Sequence, residues 1–207
     1  MRSLLLLGGG DHCRACIDVI EAGSTYRIAG IVQQPSDGIK AVQGYPVVGV
    51  DDDLPRLLAE IPRALVVTGQ IKTAATRIRL YETVKSYAGT LPVITSPMAY
   101  CSPRASLGEG TILMHGSIVN TNAAIGENCI INSLALIEHD SEIEAHCHIS
   151  TGARINGGVH VGEGSFIGSG AIVKEGVKIG QNVVVGAGQI ILRDVPAATI
   201  IRGNREQ

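Results

Sequence analysis

The chain has 207 residues, 45% of them hydrophobic, and a formal net charge of -2. That length can bury one or two proper cores. The near-neutral charge and only six aromatics, Phe166 and five Tyr, leave neither the basic footprint nor the stacking platform that nucleic-acid binding needs.

Residues 1–7 carry one Arg and four consecutive Leu before a glycine turn. This run is too short for a secretory segment or a membrane span, so the expectation is a cytoplasmic protein without membrane insertion, its five Cys reduced. Residues 3–7 read as a strand, Gly8-Gly9-Gly10 as a turn, and the stretch from Asp11 as a helix ending at Gly23, with Ala15, Cys16, Val19 and Ile20 at helical spacing. Further strands are expected at 27–32, 64–68 and 91–94, and helices at 54–61 and 73–86. The alternation predicts a small parallel α/β domain, Rossmann-like in outline, over 1–96.

Ligands on such sheets bind at the carboxyl ends of the strands, here Gly8 to His12, Gln33-Gln34 and Gly69-Gln70. A glycine turn opening a helix can hold phosphate on backbone N–H groups. Yet position 13 is Cys where the dinucleotide fingerprint needs Gly or Ala, and a tight turn without a ligand accounts for the glycines equally well. NAD binding also lacks an acidic residue at the end of the second strand. Cys13 and Cys16 form a C-x-x-C with no partner pair, which favours helix-face packing over a metal or redox site.

From Leu107, every sixth residue is aliphatic for fifteen steps, through Val119, Ile137 and Ile155 to Ile191. That period is neither 2 nor 3.6 and marks a hexapeptide parallel β-helix, expected over 97–207. Three hexapeptides make one triangular coil, giving about five coils stacked at ~4.8 Å. Coils of this architecture wind left-handed. Two places before each aliphatic the residue is mostly small (Ala105, Ser117, Ala123, Cys129, Ala135, Cys147, Ala153), which is expected where the chain bends and makes Cys129 and Cys147 packing residues.

Ile137-Glu138-His139-Asp140 puts an imidazole and a carboxylate where plain repeats carry spacers. One 18-residue coil further lies Gly157, so His139 and Gly157-Gly158 should stack on one corner, leaving open space and exposed N–H groups beside the ring. An imidazole next to an N–H donor suits acyl transfer, with His139 as base, Asp140 orienting it and the N–H receiving the oxyanion. The competing readings are a solvated corner histidine and, since His146, His148 and His160 are near in sequence, a metal site. His12, His115, His146 and His160 are expected at the surface or in turns.

Taken together, the opening Gly8-Gly9-Gly10-Asp11-His12, the segment Gly44-Tyr45-Pro46-Val47 through Asp51-Asp52-Asp53-Leu54, the Ile137-Glu138-His139-Asp140 interruption, and the end Val185-Gly186-Ala187-Gly188, Asp194-Val195-Pro196 and Gly203-Asn204 resemble the bacterial nucleotide-sugar acetyltransferases. These comprise the bacillosamine and perosamine N-acetyltransferases and the related sialic-acid O-acetyltransferases. The resemblance spans nearly the full length. It implies a homotrimer with active sites between neighbouring β-helices, acetyl-CoA in the groove, and a nucleotide-activated amino sugar held partly by the N-terminal domain. By position it implies His139 as general base, Asp140 as its acidic modulator and Asn132 as an acceptor-sugar contact. His148 is implied near the acetyl carbonyl or pantetheine, Gly157 as a donor to the thioester oxygen, and Ser169 and Ala187 as pantetheine contacts. Gly10, His12 and Gly69 match positions around the phosphates. Many relatives carry Asp at the end of the second strand; here Gln33-Gln34 stand there, and Gln both donates and accepts. The implied reaction is direct attack of a sugar amine on the thioester, with no metal. The alternatives are O-acetylation of sialic or a related nonulosonic acid, a trimeric zinc enzyme, and a non-catalytic scaffold.

Overall fold

The computed structural model describes residues 1–34, 38 and 40–203; Asn204 of the C-terminal motif lies outside them. Strands β1 (Arg2–Leu7), β2 (Tyr26–Val32), β3 (Ala41–Val42), β4 (Tyr45–Gly49) and β5 (Ala64–Val66) form one sheet in the order β3-β4-β2-β1-β5. All its pairs are parallel except β3 with β4. Leu4 and Leu6 pack with helix α1 (Asp11–Ala22), while Leu5 and Leu7 pack with α2 (Leu54–Glu60) and α3 (Ala75–Ser86). A central parallel strand covered on both faces is why this stretch reads as unbroken leucine.

The short β3–β4 hairpin is not foreseen by the sequence reading. Its turn, Gln43-Gly44, has positive φ at both residues, 45° and 86°, the geometry of the tight hairpin turn whose usual signature is Asn-Gly. The strand expected at 91–94 also differs. Leu91 is buried against α2 and α3, but Ile94–Thr95 pairs with Ile112–Leu113 and is the first strand of the solenoid.

The rest of the chain is a left-handed parallel β-helix of two-residue strands in three sheets. One sheet, with seven strands including Ile112–Leu113, Ile130–Ile131, His148–Ile149 and Phe166–Ile167, meets the N-terminal domain and is called the docked face. Ile112, Met114 and Ile130 share a core with Leu4, Cys13, Cys16 and Ile17. A second, with six strands, points Tyr100, Ile118, Leu136, Arg154, Ile172 and Ile190 outward in one ladder and is the apolar face. The third, with five strands, presents Ser106, Ala124, Glu142, His160 and Lys178 and is the polar face.

The small-residue register does not sit at the bends as expected. Ala123, Cys129, Ala135, Cys147 and Ala153 are fully buried in the solenoid core beside the sixfold aliphatics, because each side of the triangle turns two residues inward and the inner corner has room for only one large one. The bends fall three residues after each aliphatic. From Gly110 to Gly188 every sixth residue is left-handed, with φ between 52° and 71°; Asn, Asp and Gly fill most of that register because they tolerate it at least cost.

Candidate active site

The expected site residues sort onto distinct parts of this frame. Gly10, His12, Gln33, Gln34 and Gly69 line one cavity of about 530 Å³ at the carboxyl edge of the N-terminal sheet. The N-terminus of α1 opens into it, with Gly10 as N-cap. Gln33 accepts the Gly9 N–H. Two residues that the sequence reading did not assign to the site also line it: Asp51, just after β4, and Arg79 on α3, which form an ion pair at 2.8 Å.

His12 and His148 are not surface groups. Their rings lie 6.2 Å apart, and His148 stands edge-on to Phe166 at 5.1 Å. Burial, aided by the Arg77 charge, pushes His12 down to about 3 and His148 down to about 4. Both imidazoles are therefore neutral at physiological pH. The Nδ1–H of His148 donates to the Gln70 carbonyl at 2.7 Å, leaving Nε2 to accept from Asn132 Nδ2 at 3.1 Å. Gln70 in turn donates to the Gly164 carbonyl at 3.0 Å, so one loop of the N-terminal domain is tied to the docked face at two points. Arg77, fully buried, adds a third tie by spanning the Val66 and Thr68 carbonyls and Asn128 at 2.8–2.9 Å.

His139 and Asp140 occupy the corner between the apolar and polar faces, opposite the docked face. The ring is exposed, and its Nδ1 lies 2.8 Å from Asp140 Oδ2. Bonds from His139 and then Asn122 hold the Asp140 carboxyl below the ordinary range, so it stays ionised and accepts the Nδ1–H of His139. Gly157 stacks directly above: a Cβ there would sit 2.8 Å from both Nε2 and Cε1. No protein group accepts the Gly157 N–H among the described residues, whereas the Gly158 N–H is taken by the His139 carbonyl at 3.0 Å. Of the two N–H groups expected to be exposed, only the first is available.

Asn132, Ser169 and Ala187 lie on the other edge of the apolar face, at the corner with the docked face. One chain thus flanks its apolar face with His139, Asp140 and Gly157 on one side and with Asn132, Ser169 and Ala187 on the other.

The other expectations resolve simply. His146 is buried against Tyr81 and bonded to Asn128. His160 pairs with Glu144 at 3.1 Å and His115 with Asp18 at 2.9 Å. Cys13 and Cys16 are buried on α1, where burial pushes the Cys13 thiol up to about 11, and all five cysteines are free thiols. Among the described residues no group of three or more His, Cys, Asp or Glu is placed to hold a metal ion, and no helix is long and apolar enough to cross a membrane.

Comparison with known proteins fits both halves. Residues 3–84 match the family model of the PglD N-terminal domain, and residues 158–193 that of the hexapeptide repeat of succinyl-transferase. No curated protein sequence matches the chain. Among solved structures, a mutant perosamine N-acetyltransferase from Caulobacter crescentus, in complex with CoA and GDP-perosamine, is 36% identical over 97% of this chain and 93% of that one, with a TM-score of 0.89. The acetyltransferase domain of PglB from Neisseria gonorrhoeae is 30% identical over 99% of this chain and 98% of that one, with a TM-score of 0.90. WeeI from Acinetobacter baumannii, at 20% identity and a TM-score of 0.79 over 98% of both chains, shares the fold. With relatives this similar along the whole chain and a family model matched in each half, the protein belongs to the hexapeptide-repeat acetyltransferases that act on sugar amines.

Proposed function

We propose that the protein transfers acetyl from acetyl-CoA to the amine of a nucleotide-activated 4-amino-deoxysugar, with His139 as general base. The observation that carries this reading is the stack of Gly157 on His139: a Cβ at Gly157 would stand 2.8 Å from Nε2, and no protein group accepts the Gly157 N–H among the described residues. The Caulobacter relative holds CoA and GDP-perosamine, and the Neisseria domain binds acetyl coenzyme A, which supports the same pair of substrates here.

In this mechanism the neutral sugar amine attacks the thioester carbon. His139 Nε2 takes the proton that the nitrogen sheds, and the Gly157 N–H holds the oxyanion of the tetrahedral intermediate. Collapse breaks the C–S bond, and the CoA sulfur leaves with the proton returned from the imidazolium. No acyl-enzyme forms, so Cys129 and Cys147, sealed in the solenoid core, take no part. The cavity at Gly10, His12, Gln33, Gln34 and Gly69 receives the nucleotide, with phosphate oxygens at the N-terminus of α1. Asn132 contacts the sugar, while His148, Ser169 and Ala187 lie along the pantetheine.

A single chain keeps that cavity and His139 on opposite sides of the solenoid. The apolar face between the two functional corners exposes Tyr100, Ile118 and Ile190 in one ladder, with Leu134 and Leu192 beside it. An apolar strip of this kind on a soluble protein marks an association surface. Three copies that bury it against one another form a homotrimer in which His139 of one copy faces Asn132, Ser169 and the cavity of the next.

The direct test is incubation with acetyl-CoA and a panel of UDP-, dTDP- and GDP-linked 4-amino sugars, with free and CMP-activated sialic acids, read by release of the CoA thiol. Turnover with an amino sugar is expected. Turnover with sialic acids alone would make the enzyme an O-acetyltransferase, and none with any acceptor would leave a scaffold. A second prediction concerns Gly157. Its alanine variant must push the imidazole aside, so kcat is expected to fall about 10- to 100-fold with the KM for nucleotide sugar nearly unchanged, since misplacing a reacting group by about an ångström costs that much. Steady-state kinetics would show it, and an unaltered kcat would place the chemistry elsewhere.

A further inference from the structure

The coil beneath His139 carries two asparagines in register with its acidic neighbours. Asn122 lies one coil below Asp140, and both residues turn their corner with φ of 58°, so their side chains leave the solenoid in parallel. Asn122 Nδ2 donates to Asp140 Oδ1 at 3.2 Å, while the other carboxylate oxygen faces His139 Nδ1 at 2.8 Å. Asn120 Nδ2 donates to Glu138 Oε2 at 2.9 Å, and that same oxygen accepts the His139 N–H at 3.3 Å. The Asp140 N–H is bound to the Thr121 carbonyl at 3.2 Å.

We propose that Asn122 is a positioning residue for proton transfer, fixing the Asp140 carboxylate so that His139 keeps its proton on Nδ1 and presents Nε2 to the space beside Gly157. The inference rests on the reading of His139 as base and adds a residue that touches neither substrate. Its physical basis is the exposure of Asp140, whose side chain is 59% accessible. A carboxylate held by one hydrogen bond at an open corner rotates among rotamers and takes the imidazole with it; held through both oxygens, it has one orientation. The other charged groups on this corner are Glu138 in the same coil, Arg104 two coils below, Lys174 and Glu175 two coils further on, and Arg193 and Asp194 three coils further on.

Asparagine is also favoured at left-handed corners for backbone reasons alone, so the test must separate the amide from the turn. Asn122→Gly keeps the positive φ and removes the donor. Asn122→Asp also tolerates the turn and replaces the donor with a second carboxylate facing Asp140. The glycine variant is expected to lower kcat about 5- to 10-fold, with the KM for acetyl-CoA within about twofold, the scale of a lost positioning contact. In the aspartate variant the added negative charge favours the protonated imidazole, so the acidic limb of the kcat/KM profile should move to higher pH by about one unit. Wild-type kcat and superimposable pH profiles in both variants, at unchanged melting temperature and oligomer mass, would overturn the proposal. His139→Ala, run alongside, separates the two failures: a near-normal rate there removes the base itself, whereas a dead alanine variant with normal Asn122 variants removes only the positioning role.

Discussion

His139→Ala is expected to lower kcat for acetyl transfer by about 10²- to 10⁴-fold, the usual contribution of a positioned general base. The fold should survive, because the ring is 58% accessible and packs into no core. Gly157 keeps its N–H in the variant, so the oxyanion donor remains and the residual rate should exceed that of the uncatalysed reaction. The KM values should change little, since the imidazole matters to the transition state more than to either ground-state complex. Raising the pH should recover part of the loss, because hydroxide can then take the proton that the attacking nitrogen sheds. Thiol release measured across pH, with circular dichroism and solution mass as controls, would check all of this. A near-normal rate would remove His139 from the mechanism and leave the Asp140 contact as a surface ion pair of small worth.

The sixfold aliphatic register made the solenoid legible because its period follows from a rule that tertiary context cannot override: one large inward residue per side of a triangle. The same ruler put Gly157 over His139, and the 2.8 Å a Cβ would leave there reflects that stacking. It should have exposed Asn122 too, which is Asp140 less one coil, and the left-handed register from Gly110 to Gly188, since Gly and Asn recur there in the sequence.

Where the ruler stops, reading by residue type fails. His146 looks like a turn residue, yet it is buried because α3 folds back onto the solenoid, and the bond that orients His148 comes from Gln70, 78 residues away in the chain. Asp51 and Arg79 reach the cavity from separate elements, and no spacing rule joins a loop after β4 to the middle of α3. The strand expected at 91–94 differs from the observed Ile94–Thr95 for the same reason: a short apolar strand carries no mark of its partner.

The proposed division of the site between copies predicts recovery of activity from two inactive chains. Gly10→Trp should abolish nucleotide binding without disturbing the fold. A Cβ at Gly10 meets nothing within 4 Å, its φ of -73° suits any residue, and an indole there would stand in the cavity beside the N-terminus of α1. His139→Ala removes the base. If both functions came from one chain, every site in a mixed assembly would remain defective, and mixing would give nothing. If His139 of one copy serves the cavity of the next, a trimer containing both variants has one interface with a good histidine facing a good cavity. Random co-assembly at equal amounts then restores about a quarter of the wild-type activity, the fraction set by cyclic arrangement of three subunits. The two variants would be purified separately, co-denatured and refolded together, or co-expressed with different tags and isolated through both. Mixing without subunit exchange supplies the baseline. Recovery well above that baseline requires His139 and the cavity to act from different chains, because neither variant can supply to its own copy what it lacks. No recovery from verified mixed trimers would return the whole site to a single chain.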